Sequence, residues 1–194
     1  MTLSPLAIAI IIIVVVVLIG GGLIWSRRRR SSALHDRFGS EYERTVKAVG
    51  STSKAEAVLA EREKRVEEFS LQPLPPAQRE GFVGEWRQVQ AQFVDDPQQA
   101  LGRADVLLGE VMAARGYPVS DFEQRAADLS VDHAEVVENY RAAHDIALKH
   151  KRGEASTEDL RQAMIHYRAL FDDLVNEPEH MHHRPSRSAE PARH

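Results

Sequence analysis

The chain has 194 residues, of which 25 are Lys or Arg and 29 are Asp or Glu, and it contains no cysteine. This length fits one sizeable folded domain of the usual size, roughly 100 to 200 residues. Without cysteine, the chain has no disulfide framework, thiolate metal module or thiol nucleophile. The G-x-S-x-G, G-x-x-x-x-G-K-[ST] and G-x-G-x-x-G motifs are also absent, so the usual hydrolase, triphosphatase and dinucleotide-binding signatures are excluded.

An uncharged apolar segment occupies residues 6–25. A helix of about 20 residues matches a hydrocarbon layer roughly 30 Å thick, and it satisfies its own backbone hydrogen bonds in lipid. Trp25 then lies at the interface, where its ring is favoured. A cleaved secretory signal would show a basic n-region and a small-residue cleavage site, and neither is present. The segment therefore predicts an uncleaved transmembrane anchor over residues 1–26, with the bilayer as a partner through residues 6–25.

A basic juxtamembrane segment, residues 27–31, follows the apolar segment. It contains four consecutive arginines: Arg27, Arg28, Arg29 and Arg30. Because an excess of Lys and Arg marks the cytoplasmic side of a span, the block predicts a single-pass protein of the cell membrane with its N-terminus outside and its soluble domain in the cytoplasm. Such a block can also bind anionic lipid or nucleic acid. The role in orientation is preferred because it needs nothing beyond the position of the block.

The chain beyond the basic segment is acidic. Residues 31–176 hold 18 of the 25 basic and 26 of the 29 acidic side chains, a net charge of −8. Binding of DNA or RNA relies on clustered Lys and Arg that neutralise phosphates. The acidic balance therefore predicts no nucleic-acid partner.

Periodicities of 3.6 residues recur past the apolar segment, and strand signals are almost absent. The pattern predicts an all-α fold, in which the transmembrane helix is followed by a helical stalk and a helical bundle. The stalk, or first helical pair, covers residues 32–72, with helices over 32–49 and 54–69 and a point of interruption at Gly39. The proline-rich stretch at 72–76 separates it from the bundle at 73–176, since proline removes a backbone donor.

Within the bundle, two apolar stripes flank the short turn at 95–97 and predict an antiparallel helix pair. A short helix around 121–128 and a longer one over 131–151 follow. The last helix has the strongest amphipathic pattern in the chain, at spacings of 3, 4, 3 and 4: Leu160, Ala163, Tyr167, Leu170 and Leu174. Such a stripe normally faces a core. We expect it to face Trp86, Val137 and Tyr140.

Helix start signals support these boundaries. The S-x-x-[ED] form of a capping box occurs at four positions: Ser40, Ser53, Ser120 and Ser156. Asp96 followed by Pro97 predicts an N-cap and a first-turn proline.

The tail, residues 177–194, is rich in His, Arg and Pro and is predicted to be disordered. His180, His182 and His183 are weak candidates for metal ligands, because imidazole binds divalent transition metals. A tail without periodicity does not preorganise them. Adventitious or no binding is therefore favoured, and no cofactor is predicted.

A polar cluster around the short helix offers an alternative function, a membrane-tethered enzyme or sensor. It consists of five residues: Asp121, Arg125, Asp128, Asp132 and His133. His133 beside two carboxylates can form an exposed acid/base pair, although capping is favoured because such pairs are common at helix starts. His144, four residues after Tyr140, is interpreted as a half-buried packing histidine. No HExxH motif occurs.

Four segments have distinctive sequences: DRFGSEYERTV at 36–46, RGYPVSDFEQRAADLSVDH at 115–133, YRAAH at 140–144 and GEASTEDLRQAM at 153–164. In these stretches the chain resembles a family of uncharacterised bacterial single-pass membrane or secreted proteins with an all-helical soluble domain. The resemblance covers most of 36–175. It implies a recurring bacterial unit, with no established function, cofactor or catalytic residue.

The sequence as a whole favours a protein-binding adaptor or scaffold at the inner face of the cytoplasmic membrane over an enzyme. The two functions differ in what they require of the fold. An enzyme should enclose the polar cluster in a concave pocket with shifted pKa values. An adaptor should leave these residues as exposed caps and present an apolar groove elsewhere.

Overall fold

The computed structural model describes residues 5–176, apart from the side chains of residues 5–17, 19, 23, 24 and 27. Over that range the chain forms helices and no strand, so the predicted all-α class is confirmed. The helices are α1 (Pro5–Phe38), α2 (Ser40–Val49), α3 (Thr52–Glu67), α4 (Pro76–Asp95), α5 (Pro97–Ala114), α6 (Phe122–Leu129), α7 (Ala134–Lys151) and α8 (Thr157–Asn176).

In the part of the chain that the structure describes, no helix combines the length and the apolar character needed to cross a bilayer. Most of the predicted anchor at 6–25 lies outside the described side chains, and the tail at 177–194 lies outside the described residues altogether. The anchor, the orientation given by the arginine block and the disorder of the tail therefore stay predictions.

The chain divides into two compact units, Met1–Glu61 and Arg62–His194, and the division falls within α3. In the first unit, α1 ends and α2 begins at Gly39, whose φ of 48° favours glycine. The predicted interruption at Gly39 is therefore confirmed. Tyr42 of α2 is buried, and its hydroxyl donates a hydrogen bond to Glu56 of α3 at 3.0 Å.

The second unit begins with the pair α4 and α5. Asp96 caps α5 by accepting a hydrogen bond from the Gln99 backbone N–H at 3.0 Å, and Pro97 occupies the first turn. The predicted cap, proline and helix pair are confirmed. Trp86 of α4 stacks on Phe171 of α8 with ring centroids 4.6 Å apart, so the pair packs on the last helix.

The apolar stripe of α8 lies in the hydrophobic core of this unit. All five of its predicted residues are buried: Leu160, Ala163, Tyr167, Leu170 and Leu174. The ring of Tyr167 lies 6.1 Å from that of Tyr140 on α7. The predicted Ser156 cap is also confirmed, because its hydroxyl accepts from the Asp159 N–H while the Asp159 carboxylate accepts from the Ser156 N–H.

The other three predicted capping boxes are wrong. Helix α6 is capped by Asp121, whose carboxylate accepts from the Gln124 N–H at 2.9 Å, rather than by Ser120 one residue earlier. At α2 the N-cap position belongs to Gly39, which has no side chain to offer. Ser53 lies inside α3, which already begins at Thr52.

Candidate functional site

The five residues of the polar cluster do not converge on one centre. Asp121 is exposed and serves as the cap of α6. Asp132 is also exposed. The remaining three residues, Arg125, Asp128 and His133, contact side chains of three different helices. Each contact joins α6 or the start of α7 to a neighbouring helix.

Asp128 joins α6 to α3. Its carboxylate is almost fully buried and accepts hydrogen bonds from Arg65 at 3.1 Å and from Gln124 at 2.7 Å. Two residues later, the Ser130 hydroxyl accepts from Arg62 at 3.2 Å and donates to the Ala127 carbonyl. Buried polar groups that are satisfied in this way hold helices together.

His133 joins the start of α7 to the end of α8. It is 5% exposed, and its Nδ1 hydrogen-bonds to the carboxylate of Asp173. Both sequence interpretations of His133 are wrong: it is not part of an exposed acid/base pair, and its side chain makes no capping hydrogen bond although it occupies the N-cap position of α7. The carboxylate that binds it is 40 residues away in sequence.

A buried arginine supports the same corner of the second unit. Arg115 is 1% exposed, and its Nη1 donates to the Leu174 carbonyl at 2.9 Å. A cation at the C-terminal end of a helix also interacts favourably with the helix dipole. Sequence reasoning missed this residue, although its position directly before Gly116, with φ of 96°, marks the end of α5.

Arg125, the last of the five, lies between α6 and α5. Its Nη2 is 3.7 Å from the Asp105 carboxylate, and its guanidinium carbon lies 5.8 Å from the centroid of the Tyr140 ring. The second contact has the geometry of a cation–π interaction. Arg125 therefore contacts residues outside the polar cluster, namely Asp105 of α5 and Tyr140 of α7.

Asp105 lies in the wall of an open groove between α5, α7 and α8, here called the Asp105 groove. It has a volume of about 260 Å³. Its walls include Leu101, Gly102, Asp105, Ala147, Leu148 and Tyr167. The Tyr167 hydroxyl donates to the Asp105 carboxylate at 3.4 Å. The groove thus has an apolar wall and a polar one, in which Asp105 is the one carboxylate. The other polar residues of the lining are Gln98, His144, His150 and Lys151.

Burial and the negative charge of Asp105 set the protonation of the groups around it. Burial, followed by the charge of Asp105, raises the pKa of Tyr140 and of Tyr167 above the ordinary range. Both phenols are therefore neutral at physiological pH. A hydrogen bond between the Tyr140 hydroxyl and the Asp105 carboxylate adds to the rise of the Tyr140 pKa.

His144 also lines the Asp105 groove. Its ring stacks on Phe122 with centroids 3.5 Å apart and an interplanar angle of 7°, so the predicted packing role is confirmed. Burial lowers the pKa of His144. The lowered pKa favours the neutral imidazole, so His144 contributes little positive charge beside Asp105.

A second groove lies further along α5, here called the Val119 groove, with a volume of about 250 Å³. Val106, Met112, Pro118 and Val119 give it an apolar lining, and Arg125 borders it. Val106 is 53% and Val119 93% exposed. Arg125 thus contributes to one groove and contacts Asp105 in the other.

Within residues 5–176 no group of three or more His, Asp or Glu side chains is placed to hold a metal ion. The candidate ligands His180, His182 and His183 lie outside the described residues.

Comparison with known proteins gives no assignment: no family model matches the chain, and no curated protein or solved structure matches it significantly. The resemblance to an uncharacterised bacterial family therefore stays a prediction.

Proposed function

We propose that this protein is a membrane-anchored adaptor that binds another protein at the inner face of the cytoplasmic membrane. Residues 6–25 would cross the bilayer. The block Arg27 to Arg30 would keep the folded part on the cytoplasmic side. The second unit, with its open grooves on α5, would carry the binding surface.

The observation that carries the proposal is the contrast between occupied polar residues and open apolar grooves. The expectation that an adaptor leaves all five residues as exposed caps is wrong, because only Asp121 is one. Asp128 and His133 are buried and engaged by side chains of other helices. The Val119 groove, by contrast, is apolar and bordered by two exposed valines. Exposed apolar surface beside a groove is typical of a protein interaction site.

The alternative, an enzyme or sensor at the polar cluster, has less support. Catalytic groups have to reach a common reacting atom. The five residues instead serve as a helix cap, an exposed side chain and contacts to three different helices. No pocket described above gathers them.

The binding surface can be tested by site-specific photo-crosslinking with the full chain in the membranes of its native host. The photoreactive residue replaces Val119 or, as a matched control, Val94, which is 82% exposed on α4. We expect a discrete crosslinked partner from position 119 and none from 94. In a chain carrying the probe at 106, Val119→Glu should abolish the crosslink. Equal capture from positions 94 and 119, or no capture from either, would refute the adaptor function.

The orientation has its own test, a pair of reporter fusions placed after His194. A reporter active only in the cytoplasm should work, and one active only outside the membrane should not. The reason is that the arginine block keeps the chain that follows it on the cytoplasmic side. The reverse pattern would overturn the localisation and move the partner to the other side of the membrane.

A further inference from the structure

The Asp105 groove combines an apolar wall with a single accessible carboxylate. Leu101 and Ala147 line it, the ring of Tyr167 adds an aromatic surface, and the Asp105 side chain is 34% exposed. The long side chains of Lys and Arg match this arrangement, because their methylene stems cover apolar surface while the charged head stays polar. We propose that the groove binds a Lys or Arg side chain of the partner protein, an inference that rests on the adaptor function.

The Asp105 carboxylate has capacity for another hydrogen-bond donor. An ionised carboxylate can accept about four hydrogen bonds. Its contacts with Tyr167 and Arg125 measure 3.4 and 3.7 Å, longer than the roughly 2.7 to 2.9 Å of a good charge-assisted bond. An incoming ammonium or guanidinium group can therefore form the short bonds that these two neighbours do not.

Charged and titratable side chains of both signs lie around the groove. Asp105 is its one carboxylate, and His144 beside it favours the neutral form because burial lowers its pKa. Lys151 and His150 line the groove from the same helix as His144, with Lys151 seven residues or about 10 Å further along. The cationic head is attracted to Asp105 and repelled by Lys151, and Arg125, 3.7 Å from the same carboxylate, offsets part of the attraction. Contacts between the methylene stem and the apolar wall therefore contribute to binding together with the carboxylate.

A side chain carried by a protein fits this open groove better than a free small cation does. An isolated exposed ion pair raises the affinity by no more than about fivefold. A partner segment adds contacts with exposed apolar residues next to the carboxylate, namely Val106 at 53% and Leu148 at 38% exposure. Residues 62–176 also hold 14 basic and 21 acidic side chains, a net charge of −7 that attracts a basic partner.

The chemistry can be tested with the full chain in detergent micelles, by following the methyl NMR signals of Leu101, Ala147 and Leu148. The probe is butylguanidinium, which has the head group and stem of an arginine side chain, and its control is the neutral isostere butylurea. Butylguanidinium should bind about three- to fivefold more tightly than butylurea, because the control lacks the charge that pairs with the partly exposed carboxylate. Equal affinities would overturn the proposal.

Two pairs of variants locate the effect. Asp105→Asn should weaken butylguanidinium binding by about three- to fivefold. Asp145→Asn, which removes an equal charge one residue from His144, should change it by less than about twofold because exposed charges are screened. Gly102→Leu should fill the groove and block binding, since a Cβ at 102 meets no atom within 4 Å and the fold can accept it. Gly81→Leu, at an equally open helical glycine of α4, is its control.

The last arm identifies the source of the cation. With the photoreactive residue at Leu148, Asp105→Asn should lower capture of the partner found from Val119 by about fivefold or more, and Asp145→Asn should leave it unchanged. If butylguanidinium binding depends on Asp105 but capture does not, the groove takes a free cation and the proposal is wrong. If Val119 captures a partner and both Asp105 tests fail, the adaptor function stands and only the assignment of this groove falls. If Val119 captures nothing, the adaptor function fails first.

Discussion

Two aspartates of the second unit show how differently a helical bundle can use the same side chain. Asp128 is buried and accepts short hydrogen bonds from Arg65 and Gln124, so its charge is committed to joining α3 and α6. Asp105 is partly exposed, its contacts are long, and it borders an open groove. The lesson is that engagement by neighbouring helices, rather than the presence of a carboxylate, separates a residue that builds the fold from one that is available to a partner.

The largest change in the free energy of unfolding is expected in the buried core of the second unit. Leu170 is fully buried on α8, so Leu170→Ala should lower the free energy of unfolding by about 2 to 5 kcal/mol, the usual range for a leucine truncated in a packed core. Urea denaturation of the full chain in detergent measures it. A change below about 0.5 kcal/mol, the size typical of surface positions, would show that the stripe is exposed and better described as a docking face.

The two aspartates themselves provide the sharpest comparison. Asp128→Ala should cost about 1 to 3 kcal/mol, because it leaves Gln124 and Arg65 without their buried acceptor. Asp105→Ala should cost less than about 1 kcal/mol, since a partly exposed ion pair contributes little. Thermal or urea denaturation of both variants checks the difference. Equal costs would mean that Asp105 is as structural as Asp128.

The two glycines of α5 sharpen the description of its grooves. Gly102→Ala should stabilise the protein by about 0.5 to 1 kcal/mol, because alanine is the better helix former and open space receives its Cβ. Gly109→Ala should gain less, since its Cβ would lie 3.3 Å from the Arg125 guanidinium. The two thermal midpoints, compared under the same conditions, measure the effect. An equal gain at both positions would place Arg125 elsewhere.

Protonation of His144 should have the smallest effect. Because burial lowers its pKa in the folded state, the unfolded chain binds more protons below the ordinary value of 6.5, and the free energy of unfolding should fall as the pH drops through that value. His144→Gln should lose less stability than the wild type between pH 7.5 and pH 5. If the free energy of unfolding has the same pH dependence in the two proteins, burial does not lower the pKa of His144.

The sequence predicted those features that depend on neighbours in the chain. The stripe of α8 follows from the spacing of its apolar residues, and Asp96 with Pro97 identifies the start of α5 within one turn. Local chemistry also explains the errors among the caps, since Ser120 and Asp121 are adjacent candidates and only the backbone geometry chooses between them. Local signals therefore predict helices well and exact caps less well.

The candidate site depends on distant partners and could not be predicted in this way. Asp105 sits on a helix with apolar residues on both sides of it, and its neighbour Tyr167 is 62 residues away. His133 meets Asp173 across 40 residues. In both cases the function of the side chain is set by which helices pack together, and periodicity along one helix carries no information about that.

The pinned end of α8 has a practical consequence for engineering. Helix ends ordinarily fray, but here Arg115 binds the Leu174 carbonyl and His133 binds Asp173. A fluorophore or affinity handle attached directly after Asn176 would therefore start from an anchored point on the surface. Distances measured from such a label would report on the position of the second unit rather than on the motion of a loose helix end.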